Sequence, residues 1–251
     1  MDASPPLLDL ESVTVTYSGG HQAVNSVSFS LQKGEKVGLV GESGSGKSTL
    51  ARAILGLVHP SSGMVTLHGT SVAEMSRKQR VRAVQMVFQD PYHSLNPRRT
   101  VRQTLVEALA AAGRSTEKDA GEAAVDLLHK VQLDANALDR FPHQFSGGQR
   151  QRICIARALA PRPELLVCDE AVSALDVTTQ RSIIELLSHL SHKENITLLF
   201  ITHDIPLVED LCERVLILDR GTVIEEGSTE AVFKNPRTKI AKKLLDSVLR
   251  I

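Results

Sequence analysis

At 251 residues, with 42% hydrophobic and 23% charged side chains, the chain has material for one large α/β domain or two small ones, and for a substantial core. Its 29 Lys and Arg balance 29 Asp and Glu, which argues against nucleic acid as main partner, since phosphate-backbone binding usually leaves a basic excess. No run of about 18 apolar residues occurs, no basic start precedes an apolar stretch at the N-terminus, and the three cysteines are scattered; a membrane span, a signal peptide and a zinc pattern therefore drop out.

The spacing predicts strands over 13–17 and 27–31, β-branched and alternating, with turns at Gly19-Gly20 and Lys33-Gly34. A short apolar strand over 36–40 runs into a Gly-rich loop, and 49–57 has helical spacing; 64–67 and 84–88 read as further strands. From about 90 to 148 the character changes to a Pro-bounded loop and Ala- and Leu-rich helices over 101–112 and 117–131, a helical insertion in a single domain whose core takes 1–89 and 149–251. A helix over 149–160 stops at Pro161 and Pro163. Apolar strands over 165–168 and 197–201 flank an amphipathic helix over 178–192, β pattern resumes over 215–218 and 222–225, and a helix over 240–249 closes the chain. Apolar strands alternating with helices imply a parallel sheet covered on both faces. Cys154 and Cys168 sit in apolar surroundings and read as buried thiols suited to a reducing compartment.

The loop Gly41, Glu42, Ser43, Gly44, Ser45, Gly46, Lys47, Ser48, followed by Thr49, has the spacing of a phosphate-binding loop. Glycines let successive backbone N–H groups turn inward to an anion, and the helix that follows aims its positive end at the same place. Lys47 would meet the β- and γ-phosphates, and the Ser48 hydroxyl would ligate Mg²⁺, a hard ion that takes oxygen. The bland alternative, a flexible Gly/Ser turn, fits poorly between an apolar strand and a helix.

Two more strands end in chemistry. Asp169-Glu170 follows 165–168; Asp169 would hold Mg²⁺ directly or through water, and Glu170 would polarise the attacking water, unless the two acids merely cap the next helix. His203 follows 197–201 and could hydrogen-bond a γ-phosphate. Ser146, Gly147, Gly148 and Gln149 open a helix and form a second anion-binding terminus, redundant beside the first.

The ordered set 41–48, Gln89, 146–149, Asp169-Glu170, Ser173-Ala174-Leu175-Asp176 and His203 resembles the nucleotide-binding subunit of ABC transporters over nearly the whole chain. The resemblance implies an α/β P-loop NTPase fold of ABC type: a RecA-like parallel core, an antiparallel β subdomain and an inserted helical subdomain. It implies an active ATPase with ATP and Mg²⁺ as cofactors, and explains the redundancy, because two subunits pair head to tail and the signature at Ser146 closes over the partner's ATP. It gives Tyr17 to the adenine, Gln89 to Mg²⁺ and the water, Glu170 as general base, His203 as switch and Asp176 to communication across the dimer. The partners implied are a second ATPase subunit, two membrane permeases and an external solute-binding protein, with the chain peripheral on the cytoplasmic face of the membrane.

A narrower likeness lies in 88–98, Phe-Gln-Asp-Pro-Tyr-His-Ser-Leu-Asn-Pro-Arg, similar to the dipeptide, oligopeptide and nickel importer branch. Ala171 where that branch commonly has Pro, and a C-terminus without clustered cysteines, favour nickel or a metallophore complex as cargo, with peptides as the alternative. No residue of this chain is expected to touch a cargo metal; His189 and His192, the closest histidine pair, should lie on an exposed helix face.

Overall fold

The computed structural model describes residues 5–114 and 117–248. In chain order the first half forms β1 (Leu8–Thr16), β2 (Gln22–Leu31), β3 (Lys36–Val40), α1 (Lys47–Ile54), β4 (Ser62–Leu67), β5 (Thr70–Ser71), α2 (Arg77–Ala83), β6 (Val84–Val87) and α3 (Pro91–Ser94). The second half forms α4 (Val101–Ala111), α5 (Glu117–Lys130), α6 (Gly147–Leu159), β7 (Leu165–Asp169), α7 (Val177–Glu194), β8 (Thr197–Thr202), α8 (Ile205–Leu211), β9 (Arg214–Asp219), β10 (Thr222–Ser228), α9 (Thr229–Lys234) and α10 (Lys239–Val248). Two short 3₁₀ turns, Ala135–Asp139 and Pro142–Gln144, lie between α5 and α6.

The strands make two sheets. A four-stranded one runs β2-β1-β4-β5 with antiparallel pairing, and a six-stranded one runs β10-β9-β3-β8-β7-β6. In the larger sheet β9, β3, β8, β7 and β6 are parallel, and β10 adds an antiparallel edge. The expected α/β architecture is the one found.

Side-chain alternation along the parallel strands sorts the core into two layers. Val37, Leu39, Leu165, Val167, Leu199, Ile201, Leu216 and Leu218 face α1 and the four-stranded sheet. Val40, Leu166, Cys168, Leu198, Phe200, Val215 and Ile217 face α4 through α8. Phe200 is fully buried on β8, and covering a side chain of that size contributes about 2–3 kcal/mol. All three cysteines are buried; desolvation pushes the Cys154 thiol up to about 11 and that of Cys168 up to about 12, so both are inert at neutral pH. His189 and His192 are exposed on α7.

Several elements differ from expectation for physical reasons. α1 starts at Lys47, not 49, because Gly46 in the left-handed region (φ 107°) already caps it. β1 ends at Thr16, so Tyr17 begins the turn, its N–H donating to the His21 carbonyl. The stretch read as a loop after Gln89 contains α3, capped by Asp90, whose carboxylate accepts from the N–H groups of Tyr92 and His93. α2 was not predicted because none of its residues is buried, which leaves no apolar stripe to read. α8 and α9 are too short, at 7 and 6 residues, for a 3.6 period to register. Leu249, expected in the last helix, lies outside the described residues.

Candidate active site

Register brings three loops to one edge. Val40 pairs with Thr202 and Asp169 with Ile201, so β3, β7 and β8 deliver Gly41, Glu170 and His203 side by side at the carboxyl ends of neighbouring parallel strands. Between them opens a cavity of about 700 Å³, lined among others by Tyr17, Glu42, Lys47, Gln89, Glu170 and His203. Gly41, Ser43, Gly44, Gly46, Ser48 and Thr49 complete its phosphate-loop wall.

The loop's curl depends on two glycines. A Cβ on Gly41 would lie 2.2 Å from the Leu218 carbonyl oxygen, and one on Gly46 equally close to that of Ala23. Lys47 is buried and folds back over the loop, donating to the Gly41 (2.8 Å) and Glu42 (2.9 Å) carbonyls. Desolvation lowers its pKa, opposed by the charges of Glu170 and Asp169. Ser45 is buried beneath the loop with its hydroxyl unpaired, and it does not line the cavity.

Asp169 ends β7 almost fully buried, and its Oδ1 has no partner. Burial pushes its pKa up, against a hydrogen bond from the Ser48 side chain and the charge of Lys47. A carboxylate kept dry and half-satisfied beside a hydroxyl suits a hard divalent cation, so the donor set fits Mg²⁺.

Glu170 sits at φ 51°, a left-handed conformation that costs a residue with a Cβ about 1–2 kcal/mol. Its Oε1 lies 2.8 Å from Nδ1 of His203, while Oε2 is buried without a partner. An ionised carboxylate only accepts, so Nδ1 donates and Nε2 is left for a ligand. Ser173, the first residue of the 173–176 motif, joins this group to Gln89: its hydroxyl donates to the Glu170 carbonyl (3.0 Å) and accepts from the Gln89 amide nitrogen (3.4 Å). That leaves the Gln89 carbonyl oxygen as the end able to face a cation. Tyr17, half-exposed at the rim, has its hydroxyl 3.3 Å from that of Thr49.

The helix terminus expected to bind a second anion stands apart from this cavity. Ser146 caps α6, accepting from the Gln149 N–H (3.2 Å) while the Gln149 side chain accepts from the Ser146 N–H (3.1 Å). Asp176 caps α7 through the Thr179 N–H (3.0 Å) and hydroxyl (2.7 Å). None of Ser146, Gly147, Gly148, Gln149 or Asp176 lines the cavity. His21, Ala23 and Leu244 do, and sequence reasoning missed them; only the Gly19-Gly20 turn hinted at the first two.

The chain matches the ABC transporter family over residues 24–173. It is 42% identical to a Brucella ovis protein with the provisional name peptide import ATP-binding protein, over 97% of this chain and 78% of that one. A Brucella abortus protein with the same provisional name is 45% identical, over 91% and 70%. Among solved structures it is similar to the ATP-binding cassette MJ0796, a dimer bound to ADP and Pi after hydrolysis (TM-score 0.79, 31% identity, 88% of this chain and 98% of that one). It is also similar to cbiO1 of Clostridium perfringens, part of the ABC transporter complex cbiONQ (TM-score 0.83, 28% identity, 98% and 96%). Matched by the family model over more than half of its length and by relatives 42% and 45% identical, the chain belongs to the ABC transporter family and is an ATP-hydrolysing subunit of it.

Proposed function

We propose that this chain energises the import of short peptides through separate membrane permeases, on whose cytoplasmic side it sits. The observation that carries the cargo is the identity of 42% and 45% to relatives provisionally named for peptide import, across nearly the whole chain. They favour peptides over nickel, which the sequence put first on Ala171 and the C-terminus. One residue and the character of the C-terminus are weaker support than likeness along the whole chain.

The proposed chemistry follows from the residues. Lys47 and the loop N–H groups cradle the triphosphate, and Tyr17 stacks on the base. Ser48, Asp169 and Gln89 hold Mg²⁺, whose charge neutralises phosphate oxygens when bound. Glu170, with Oε2 unpaired, accepts the proton of the attacking water; His203, oriented through Nδ1, turns Nε2 to the γ-phosphate. Ser146 and Asp176 lie outside this cavity, and their exposed caps suit closure over the ATP of a second, head-to-tail subunit, either a paralogue or a copy of this chain.

The test is reconstitution with the cognate permeases and external binding protein, reading phosphate release. Short peptides should stimulate it and nickel salts should not; stimulation by nickel or a nickel chelate alone would return the metal reading. Sedimentation of the ATP-loaded chain, with or without a paralogue, should give a dimer, and full-speed turnover by a strict monomer would refute the shared site.

A further inference from the structure

The last helix meets the nucleotide cavity. Glu225, buried on β10, accepts from the backbone N–H groups of Arg237 (2.8 Å) and Thr238 (3.0 Å) and from the Thr238 hydroxyl (3.0 Å). That hydroxyl in turn accepts from the Ala241 N–H (3.1 Å). A carboxylate from the sheet therefore fixes where α10 begins, and buried Ala241 seats its first turn. From this anchor the helix carries Leu244 into the cavity lining and brings Lys243 Nζ within 2.8 Å of Glu42 Oε1.

Glu42 is an awkward residue for its place. It puts a negative charge on a loop that must cradle a polyanion, and like charges at close range repel. Lys243 supplies the counter-charge from 201 residues away. Arg220 also acts on Glu42 by charge, at 94% exposure, whereas Lys243, itself 75% exposed, hydrogen-bonds it. We propose that α10 is part of the nucleotide site: Leu244 closes the cavity wall for either nucleotide, and Lys243 is a positioning residue that neutralises Glu42 against the phosphate loop and so favours the more highly charged triphosphate over the diphosphate. The inference rests on the ATP-site reading above.

The test uses the full chain and fluorescent ATP and ADP analogues at low and physiological salt. Lys243→Gln should weaken ATP binding by roughly two- to five-fold and ADP binding by less, with the gap shrinking as salt screens it. Lys243→Arg should restore it, and in a Glu42→Gln background Lys243→Gln should have no effect. Leu244→Ala should weaken both nucleotides alike. Wild-type binding by both Lys243→Gln and Leu244→Ala overturns the proposal, as does a Lys243→Gln loss that is the same with and without Glu42. A control separates the failures: if Lys47→Ala leaves ATP binding intact, the ATP-site reading falls and takes this one with it. Lys47-dependent binding with no Lys243 or Leu244 effect removes only the role of α10.

Discussion

At the start of α1, and at the strand ends beside it, polar atoms are left buried and unpaired: Ser45 Oγ, Asp169 Oδ1 and Glu170 Oε2, with Glu170 also held at positive φ. At the start of α6 the arrangement is the reverse. Ser146 and Gln149 satisfy each other, Asp176 is satisfied by Thr179, and all three side chains are exposed. Both are helix termini with glycines and hydroxyls, yet the first leaves its loop and strand-end oxygens unpaired and strained, while the second pairs its exposed caps and leaves unpaired atoms only farther along the helix, at Arg150 Nε and the Gln151 amide. Desolvated, unpaired oxygens are costly, so the first region is suited to a ligand that pairs them. The caps of the second are paired within the chain and exposed, in keeping with the proposed closure over a second subunit's ATP.

This contrast can be broken most strongly at Glu170. Glu170→Gln should lower turnover by about 10²–10⁴-fold while ATP binding persists, measured by phosphate release and nucleotide titration; unchanged turnover would remove it as the base. Ser146→Asp should come next. Aspartate still caps a helix but sets a charge against an incoming phosphate, so turnover should fall roughly 100-fold while a single chain binds ATP as before. Weakened binding in the isolated chain would place the signature in the chain's own site and erase the distinction.

The glycines sharpen the comparison through stability. Gly41→Ala drives a methyl against the Leu218 backbone carbonyl, which cannot yield, and should cost about 3 kcal/mol in denaturant unfolding. A Cβ at Gly148 would lie 2.5 Å from Thr179 Cγ2, a side-chain methyl, so Gly148→Ala should cost about 1 kcal/mol and be rescued by Thr179→Ser. The smallest effect is at Asp176, whose carboxyl the Thr179 hydroxyl and N–H hold below its usual value of 3.8. Because the folded pKa is depressed, its contribution is present above the unfolded value and is lost as pH falls through the folded one. Asp176→Asn should flatten the acid limb of the thermal melting profile, and an unchanged limb would dismiss the cap.

Much of the site could be read from the sequence because its chemistry is local. The phosphate loop, the acids after β7 and the histidine after β8 each join an apolar strand to a polar end, a junction visible in a few consecutive residues. What could not be read has no local signature. Ser173 stands in the 173–176 motif, but nothing near it in the chain says that it bridges Gln89 and Glu170. Lys243 and Leu244 belong to a plain amphipathic helix until Glu225 pins its start. α2 escaped because it buries nothing.

Sequence alone determined the strand-to-loop junctions, the two glycine-bearing helix starts and the order of motifs along the chain, since hydrophobic period, turn chemistry and charge act over a few residues. Tertiary structure alone decided that three of those junctions share one edge, that Ser146 and Asp176 stay off it, and that a helix some 200 residues downstream supplies its counter-charge. Those facts depend on parallel register and on the anchoring of α10, both set by contacts between residues far apart in the chain, and no short stretch of sequence encodes them.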